Sequence, residues 1–273
     1  MDKYAVFGNP IAQSKSPFIH TEFAKQTSQA LEYSAIGPEV DQFQSAIASF
    51  VAEGGKGANV TAPFKEQAYE MASHLSERAQ LAQAVNTLSF NSDGSVSGDN
   101  TDGAGLLADL IKHAAPLGKR VLLIGAGGAA RGVIQPLLEQ NPEILVITNR
   151  THSKAEALAE YFKSHGNITA LTAEQLNQHG EFDLVINSSS SSLFGELPDI
   201  PASIFKDLGF AYDMSYKATY TVFVDWALAN GVAKAIDGLG MLVGQAAESF
   251  YVWRQVKPDT SPVETLLRQQ LSK

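Results

Sequence analysis

A chain of 273 residues with a formal net charge of −9 and a pI near 5.1 repels nucleic acid and anionic membrane surfaces on average, so an anionic ligand must meet a locally basic pocket. It has no cysteine, which excludes disulfides and thiolate metal sites, and no apolar run approaches the roughly 18 residues of a membrane-spanning helix. The length suits two modest domains, and MDKYAVFGNP opens as a strand and turn with no charged and apolar leader, so the expectation is a soluble, cytoplasmic protein without a metal centre.

Residues 4–7 form a predicted buried strand ending at Gly8-Asn9-Pro10, and Pro17 opens a helix running to about Thr27. A second strand covers 31–36. Val40, Phe43, Ile47, Phe50 and Val51 recur at helical spacing, which predicts an amphipathic helix closed by Gly54-Gly55. A short strand at 58–60 leads to a helix from Pro63 to about Ser73, then a helical turn at 77–82, a strand at 85–90 and the turn signal Asn91-Ser92-Asp93-Gly94. The alternation of strand and helix predicts a mainly parallel sheet. Leu106, Leu107, Leu110 and Ile111 mark the helix that leaves this first part of the chain, and a domain boundary falls at 101/102.

The stretch from Arg120 to Thr151 is the strongest signal. An aliphatic strand runs into Gly125-Ala126-Gly127-Gly128-Ala129-Ala130, an apolar helical pattern follows, and a second strand lies at 144–147. This is a βαβ unit with a glycine-rich first turn: Gly125 permits the tight turn, Gly127 admits a pyrophosphate to the backbone, and Ala130 fills the third small position. The phosphates would rest on the amino end of the helix. After the second strand an NAD site offers a carboxylate to the ribose 2′-hydroxyl, but here stand Asn149-Arg150-Thr151 and then Lys154. Thr151 suits an N-cap, whereas Lys154 opposes the helix dipole, a conflict that a bound 2′-phosphate removes. The reading is NADP; its competitor is a solvated lysine and an arginine in a salt bridge.

A helix to about His165, a segment at 168–171, a short helix at 173–178 and a strand at 182–186 come next. The run Ser188 to Ser192 reads equally as a flexible connection or a ligand-contacting loop. A strand at 210–214, a helix at 219–230 and a last strand at 232–236 lead to helices that form a third segment, 238–273. There Leu239, Leu242, Val243, Ala246, Phe250 and Trp253 share one face, while Met241, Gln245 and Glu248 share another that can border a cleft.

Four places outside the dinucleotide unit carry candidate chemistry. Lys65 sits in the first turn of a helix, where the dipole disfavours it, so it is either an acid/base group or a solvated lysine covering apolar surface. Asp102 is either an N-cap or part of a polar cluster with Asp99, Asn100 and Thr101. Asn86 lies within an apolar strand and needs partners. Ser14 and Ser16 flank Lys15 where a strand-to-helix turn presents hydroxyls and free amides, a fit for a carboxylate or for ordinary capping by Ser16.

Together with these blocks, Asn59-Val60-Thr61-Ala62-Pro63-Phe64-Lys65, Ala84-Val85-Asn86-Thr87-Leu88, Gly98 to Gly103 and Asp237-Gly238-Leu239-Gly240-Met241-Leu242 make the chain resemble the shikimate dehydrogenases from about residue 4 to 255. The resemblance implies a two-domain α/β fold: a substrate domain, a Rossmann-type NADP domain at 102–237, and C-terminal helices returning to the first domain across a cleft. It implies reversible NADPH-dependent reduction of 3-dehydroshikimate in aromatic amino-acid biosynthesis, by a monomer or homodimer. By that mapping Lys65 and Asp102 are catalytic, and Ser14, Ser16, Thr61, Lys65, Asn86, Asp102, Tyr216 and Gln245 hold the substrate. Glu77, Gly125 to Ala130, Asn149, Arg150, Thr151, Lys154, Met214, Gly238 and Met241 touch the cofactor. A quinate/shikimate dehydrogenase with relaxed cofactor use and a non-catalytic NADPH sensor are the alternatives. Gln13, Ala130, the Ser188–Ser192 run and Val222 depart from the family pattern, and none of them removes a mapped catalytic residue.

Overall fold

The computed structural model describes residues 1–272. The chain divides into two compact units, Met1–Gly105 with Val243–Leu267, and Leu106–Leu242 with the chain from Arg268 onward. The three divisions fall inside helices, the first two a few residues beyond 101/102 and 237/238 and the third at 267/268.

The first unit begins with β1 (Asp2–Phe7), α1 (Ser16–Gln26), β2 (Leu31–Ile36) and α2 (Phe43–Ala52), the last preceded by one 3-10 turn at Val40–Gln42. Gly54 ends that helix at a φ of 91°, while Gly55 already starts β3 (Gly55–Val60). Then come α3 (Lys65–Met71), β4 (His74–Leu75), α4 (Glu77–Ala82), β5 (Thr87–Phe90), β6 (Val96–Asp99) and α5 (Asp102–Lys112). The sheet order is β2-β1-β3-β5-β6-β4. It is mainly parallel, as expected, with one exception: β5 runs antiparallel to both of its neighbours, β3 and β6. The turn at Asn91 to Gly94 joins β5 to β6 as a hairpin, and Gly94 has a φ of 85° there. The sequence reading missed β6 because Gly98 and the polar residues around it mask the strand pattern. Aromatic and aliphatic side chains from β1, β3, α2 and α3, including Phe7, Phe43, Phe50 and Phe64, form its core.

The second unit contains β7 (Arg120–Ile124), α6 (Gly128–Leu138), β8 (Ile144–Thr148), α7 (His152–Phe162), β9 (Ile168–Ala170), α8 (Ala173–His179), β10 (Phe182–Asn187), β11 (Phe205–Asp213), α9 (Val222–Ala229) and β12 (Lys234–Asp237). The order β12-β11-β10-β7-β8-β9, parallel at every step, is the doubly wound order 3-2-1-4-5-6 counted from β7. Central strands covered on both faces explain the continuous aliphatic runs: Val121 to Leu123 and Leu145 to Ile147 are at most 1% exposed. Two helices end the chain, α10 (Leu239–Arg254) and α11 (Thr260–Leu271). No helix among the described residues is long and apolar enough to cross a membrane.

Candidate active site

In the first unit, Lys65 is the first residue of α3 and Asp102 the first of α5. The Lys65 ammonium donates to Asp102 Oδ2 at 2.5 Å, with the two side chains only 20% and 9% exposed. Asp102 is thus drawn into the polar cluster, and Lys65 is no solvated surface lysine. Asn86 closes the other side of the carboxylate, donating from Nδ2 to Asp102 Oδ1 at 2.8 Å and to Gln245 Oε1 at 3.3 Å. Asn86 lies just ahead of β5 and continues its ladder through the backbone: Val60 N donates to its carbonyl, and its own N–H donates to the Asp99 carbonyl. Four predicted substrate residues, Lys65, Asn86, Asp102 and Gln245, therefore meet around one carboxylate.

Thr61 follows β3, half-buried, with its N–H on the Phe7 carbonyl. A side chain at Gly8 would come within 2.4 Å of Thr61 Cγ2, so glycine is what lets these two loops approach. Ser16 is the first residue of α1 and Lys15 its N-cap, with no side-chain cap bond. Lys15 is helical at φ −90°, ψ −5°, so the Ser14–Ser16 pair is not extended; instead Ser14 Oγ accepts the Ser16 N–H at 3.3 Å. Ser16 does not cap the helix, and its hydroxyl neighbours that of Tyr33.

Further residues, unmarked by the sequence reading, support this cluster. Asn59 in β3 is 5% exposed and bonds Tyr33, His20, Thr87 and Ser249. A polar side chain between Ala58 and Val60 was the available signal. Arg78 clamps Asp99 with Nε and Nη2 at 2.7 and 2.6 Å and reaches Glu248 at 3.1 Å. Burial pushes the Asp99 carboxyl up, but Arg78 and Ser76 outweigh it and hold the group below its usual range. Glu248, on the helix face that the sequence offers to a cleft, is the partner of Arg78. Glu77 is exposed in the first turn of α4, which Ser76 caps through the Ala79 N–H.

The second unit presents a different surface. Gly125 adopts a φ of 111°, and a Cβ there would lie 2.7 Å from Ser188 Oγ, so the turn after β7 requires glycine. Ala130 is fully buried under the helix, as a small third position demands. By contrast a Cβ on Gly127 or Gly128 would meet nothing within 4 Å. Gly127 is the N-cap of α6 without a side-chain cap, leaving the first amides of the helix, with Ala126 and Ala129 beside them, open to a phosphate. At the next helix Thr151 is the N-cap position but makes no side-chain cap bond; Asn149 Nδ2 holds its carbonyl at 2.9 Å. The first turn of α7 carries no acid, and Arg150 and Lys154 are exposed, their side chains free of hydrogen bonds and ion pairs within the described chain. That removes the salt-bridge reading of Arg150. These features fit a 2′-phosphorylated dinucleotide.

The Ser188–Ser192 run is ordered by hydrogen bonds. Ser188 Oγ donates to the Ile124 carbonyl at 2.7 Å, Ser189 Oγ to Asn187 Oδ1 at 2.7 Å, and Ser192 is fully buried against the Asn187 amide. Asn187 also reaches Asp213, which Thr221 holds at 2.6 Å; burial pushes the Asp213 carboxyl up. Met214 N donates to the Asn187 carbonyl, and a Cβ on Gly238 would stand 2.4 Å from the Met214 carbonyl, so these predicted cofactor residues lie together. Met241 is 8% exposed. Burial, with Asp237 adding, raises the Tyr216 phenol above its usual range. Tyr216 belongs to this second unit, unlike the other predicted substrate residues. No cluster of side chains suited to a metal ion occurs among the described residues.

Residues 6–88 match the shikimate dehydrogenase substrate binding domain, 109–195 the shikimate/quinate 5-dehydrogenase model and 238–268 the shikimate 5'-dehydrogenase C-terminal domain. The chain is 59% identical over 272 residues to a shikimate dehydrogenase (NADP(+)) of Vibrio atlanticus, covering 99% of this chain and 98% of that one. It is 56% identical, over the full length of both chains, to the protein of the same name from Psychromonas ingrahamii. Among solved structures, shikimate 5-dehydrogenase from Thermus thermophilus in complex with NADP(H) and shikimate superposes with a TM-score of 0.89 at 32% identity, covering 99% of this chain and all of that one.

Proposed function

Since the chain belongs to the shikimate dehydrogenase family, we propose that it interconverts 3-dehydroshikimate and shikimate with NADP(H), a step of aromatic amino-acid biosynthesis. The observation that carries this reading is the Lys65–Asp102 pair at 2.5 Å, flanked by Asn86 and Gln245. When bound, NADPH supplies the hydride to the ketone carbon. The remaining work belongs to the protein. Reduction converts the carbonyl oxygen to an alkoxide, and the Lys65 ammonium stabilises that charge and transfers one proton to it, becoming the neutral amine; in the oxidative direction the amine takes the proton back. Asp102 stays a carboxylate, orienting Lys65 through Oδ2 while Asn86 holds Oδ1. Thr61 and Gln245 serve the ring hydroxyls, Ser14 and Ser16 the carboxylate, and Tyr216 is a further substrate residue.

Gly125 to Ala130 receive the pyrophosphate, Arg150, Thr151 and Lys154 the 2′-phosphate with Asn149 setting their loop, and Glu77, Met214, Gly238 and Met241 further parts of the cofactor. Exposed, unpaired cations and an absent carboxylate support NADP over NAD, and therefore speak against relaxed cofactor use. The retained dyad speaks against a sensor without turnover. The test is absorbance at the NADPH band after shikimate is added to the purified protein with NADP: reduction at a steady rate is expected, and a flat trace with both NADP and NAD overturns the assignment.

A further inference from the structure

The Asp102 carboxylate is the end of a longer array of buried side chains in which the donors of Tyr33, Asn59, Thr87 and Asn86 follow one another in one direction. Asn59 Nδ2 lies 3.1 Å from the Asn86 backbone carbonyl, which can only accept. The Asn59 amide is thereby oriented, and its Oδ1 must accept from the two groups on its far side, the Tyr33 hydroxyl at 2.7 Å and His20 Nε2 at 3.1 Å. His20 is neutral at ordinary pH, since burial lowers its pKa to about 3, so its single ring proton sits on Nε2 and Nδ1 has no partner. At the other end, the Thr101 backbone N–H can only donate, and it donates to Asn86 Oδ1 at 2.9 Å. That fixes the second amide with Nδ2 towards Asp102.

Thr87 joins the two amides: its hydroxyl accepts from Asn59 Nδ2 at 3.3 Å and donates to Asn86 Oδ1 at 2.8 Å, with Ser249 Oγ 2.8 Å away. Tyr33 is 8% exposed, and His20, Asn59, Asn86, Thr87 and Ser249 are at most 5% exposed, so water does not replace a lost donor: without Thr87, Asn86 Oδ1 keeps only Thr101, and without Tyr33, Asn59 Oδ1 keeps only His20. Hydrogen bonds aligned in sequence polarise one another in the direction of the terminal acceptor. That acceptor is the carboxylate that holds Lys65.

We propose that Thr87 and Tyr33 are positioning residues for turnover, which act with the Thr101 N–H and the Asn86 carbonyl to hold the Asn59 and Asn86 amides rigidly in the single orientation that aims Asn86 Nδ2 at Asp102. Neither residue touches the reacting atoms in this scheme; both act through Asn86. The inference rests on the assignment of Lys65 and Asp102 as the catalytic pair. An Asn86 amide free to turn would offer its oxygen to a carboxylate, repelling the group it now holds.

The experiment is a steady-state comparison of Thr87→Val, Thr87→Ser and Tyr33→Phe, each alone and with Asp102→Asn. Thr87→Val keeps the shape and removes the hydroxyl; it should lower kcat roughly tenfold, with shikimate KM and NADP affinity within about twofold. Thr87→Ser should restore kcat to within about twofold of the parent. Tyr33→Phe keeps the ring stacked on His20 and, acting one amide further away, should lower kcat about threefold. In the Asp102→Asn background, Thr87→Val should add little, because the acceptor it serves has gone. A folded Thr87→Val with parental kcat, or losses that multiply fully in that background, overturns the inference. Should Thr87→Val fail to fold, Tyr33→Phe decides by the same two criteria. Near-parental turnover of Asp102→Asn alone instead brings down the catalytic assignment, and this inference with it.

Discussion

The two units solve the problem of holding a ligand in opposite ways. In the first, the groups we propose to meet the substrate are already bonded to one another: Lys65 to Asp102, Asp102 to Asn86, Asn86 to Gln245 and Thr101. In the second, the groups we propose for the cofactor are left without partners: the capless start of α6, and Arg150 and Lys154 in solvent. Reaction chemistry needs fixed directions, because a proton must be delivered to one atom, and a prebonded network supplies them without reorganisation. Binding a large polyanionic cofactor needs free donors and charge. The comparison teaches that substitutions in the first region should change turnover, and those in the second should change cofactor affinity.

Replacing Lys65 by alanine tests the first half most severely. The loss of the proton donor should cost roughly 10²- to 10⁴-fold in kcat. Fluorescence titration with NADPH should give a dissociation constant close to that of the parent. A variant keeping near-parental kcat breaks the comparison at its centre. For the second region, Arg150→Ala should weaken NADP roughly tenfold or more, the scale of one charge-assisted contact, and leave NAD almost unchanged. Equal losses for both cofactors would remove Arg150 from the 2′-phosphate site.

Ser16→Ala sharpens the comparison inside the first region, because it removes a hydroxyl proposed for substrate binding and not the proposed proton donor. KM for shikimate should rise about fivefold with a smaller change in kcat. The methyl ester of shikimate should be a poor substrate already and lose little more; equal losses for acid and ester would put the carboxylate elsewhere.

The smallest effect at neutral pH, and the one that reports on the buried network alone, is acid sensitivity. His20 has its pKa lowered by burial to about 3, so between 6.5 and about 3 the unfolded chain binds a proton that the folded chain refuses. Stability therefore falls as the pH drops through that window and is untouched by His20 above it. The contribution is about 1.4 kcal/mol per pH unit, and His20→Gln should flatten the pH dependence of denaturant unfolding by that amount. An unchanged slope would mean that His20 is protonated in the fold.

What the sequence by itself determined is what short-range pattern can carry. The Gly125 turn with β7 before it and α6 after it, the missing acid beyond β8 and the helix boundaries at 77–82 all follow from residues within a few positions of one another. Thr87 was quoted within a motif and Asn59 within another, yet neither was read as part of the site, because their partners are remote. Asn59 bonds Thr87 across 28 positions and Ser249 across 190. Likewise β6 and the two-residue β4 exist because β5 turns back antiparallel and offers an edge, not because their own residues favour extension. The serine run 188–192 read equally as a mobile link or a contact loop; β7, β10 and β11 supply Ile124, Asn187 and Asp213 to bind it, and so fix its form. Periodicity measures which face of an element is apolar, and a glycine or proline marks where the backbone can turn. Which polar groups end up facing each other in the interior depends on strand order and register, and only the folded chain decides those.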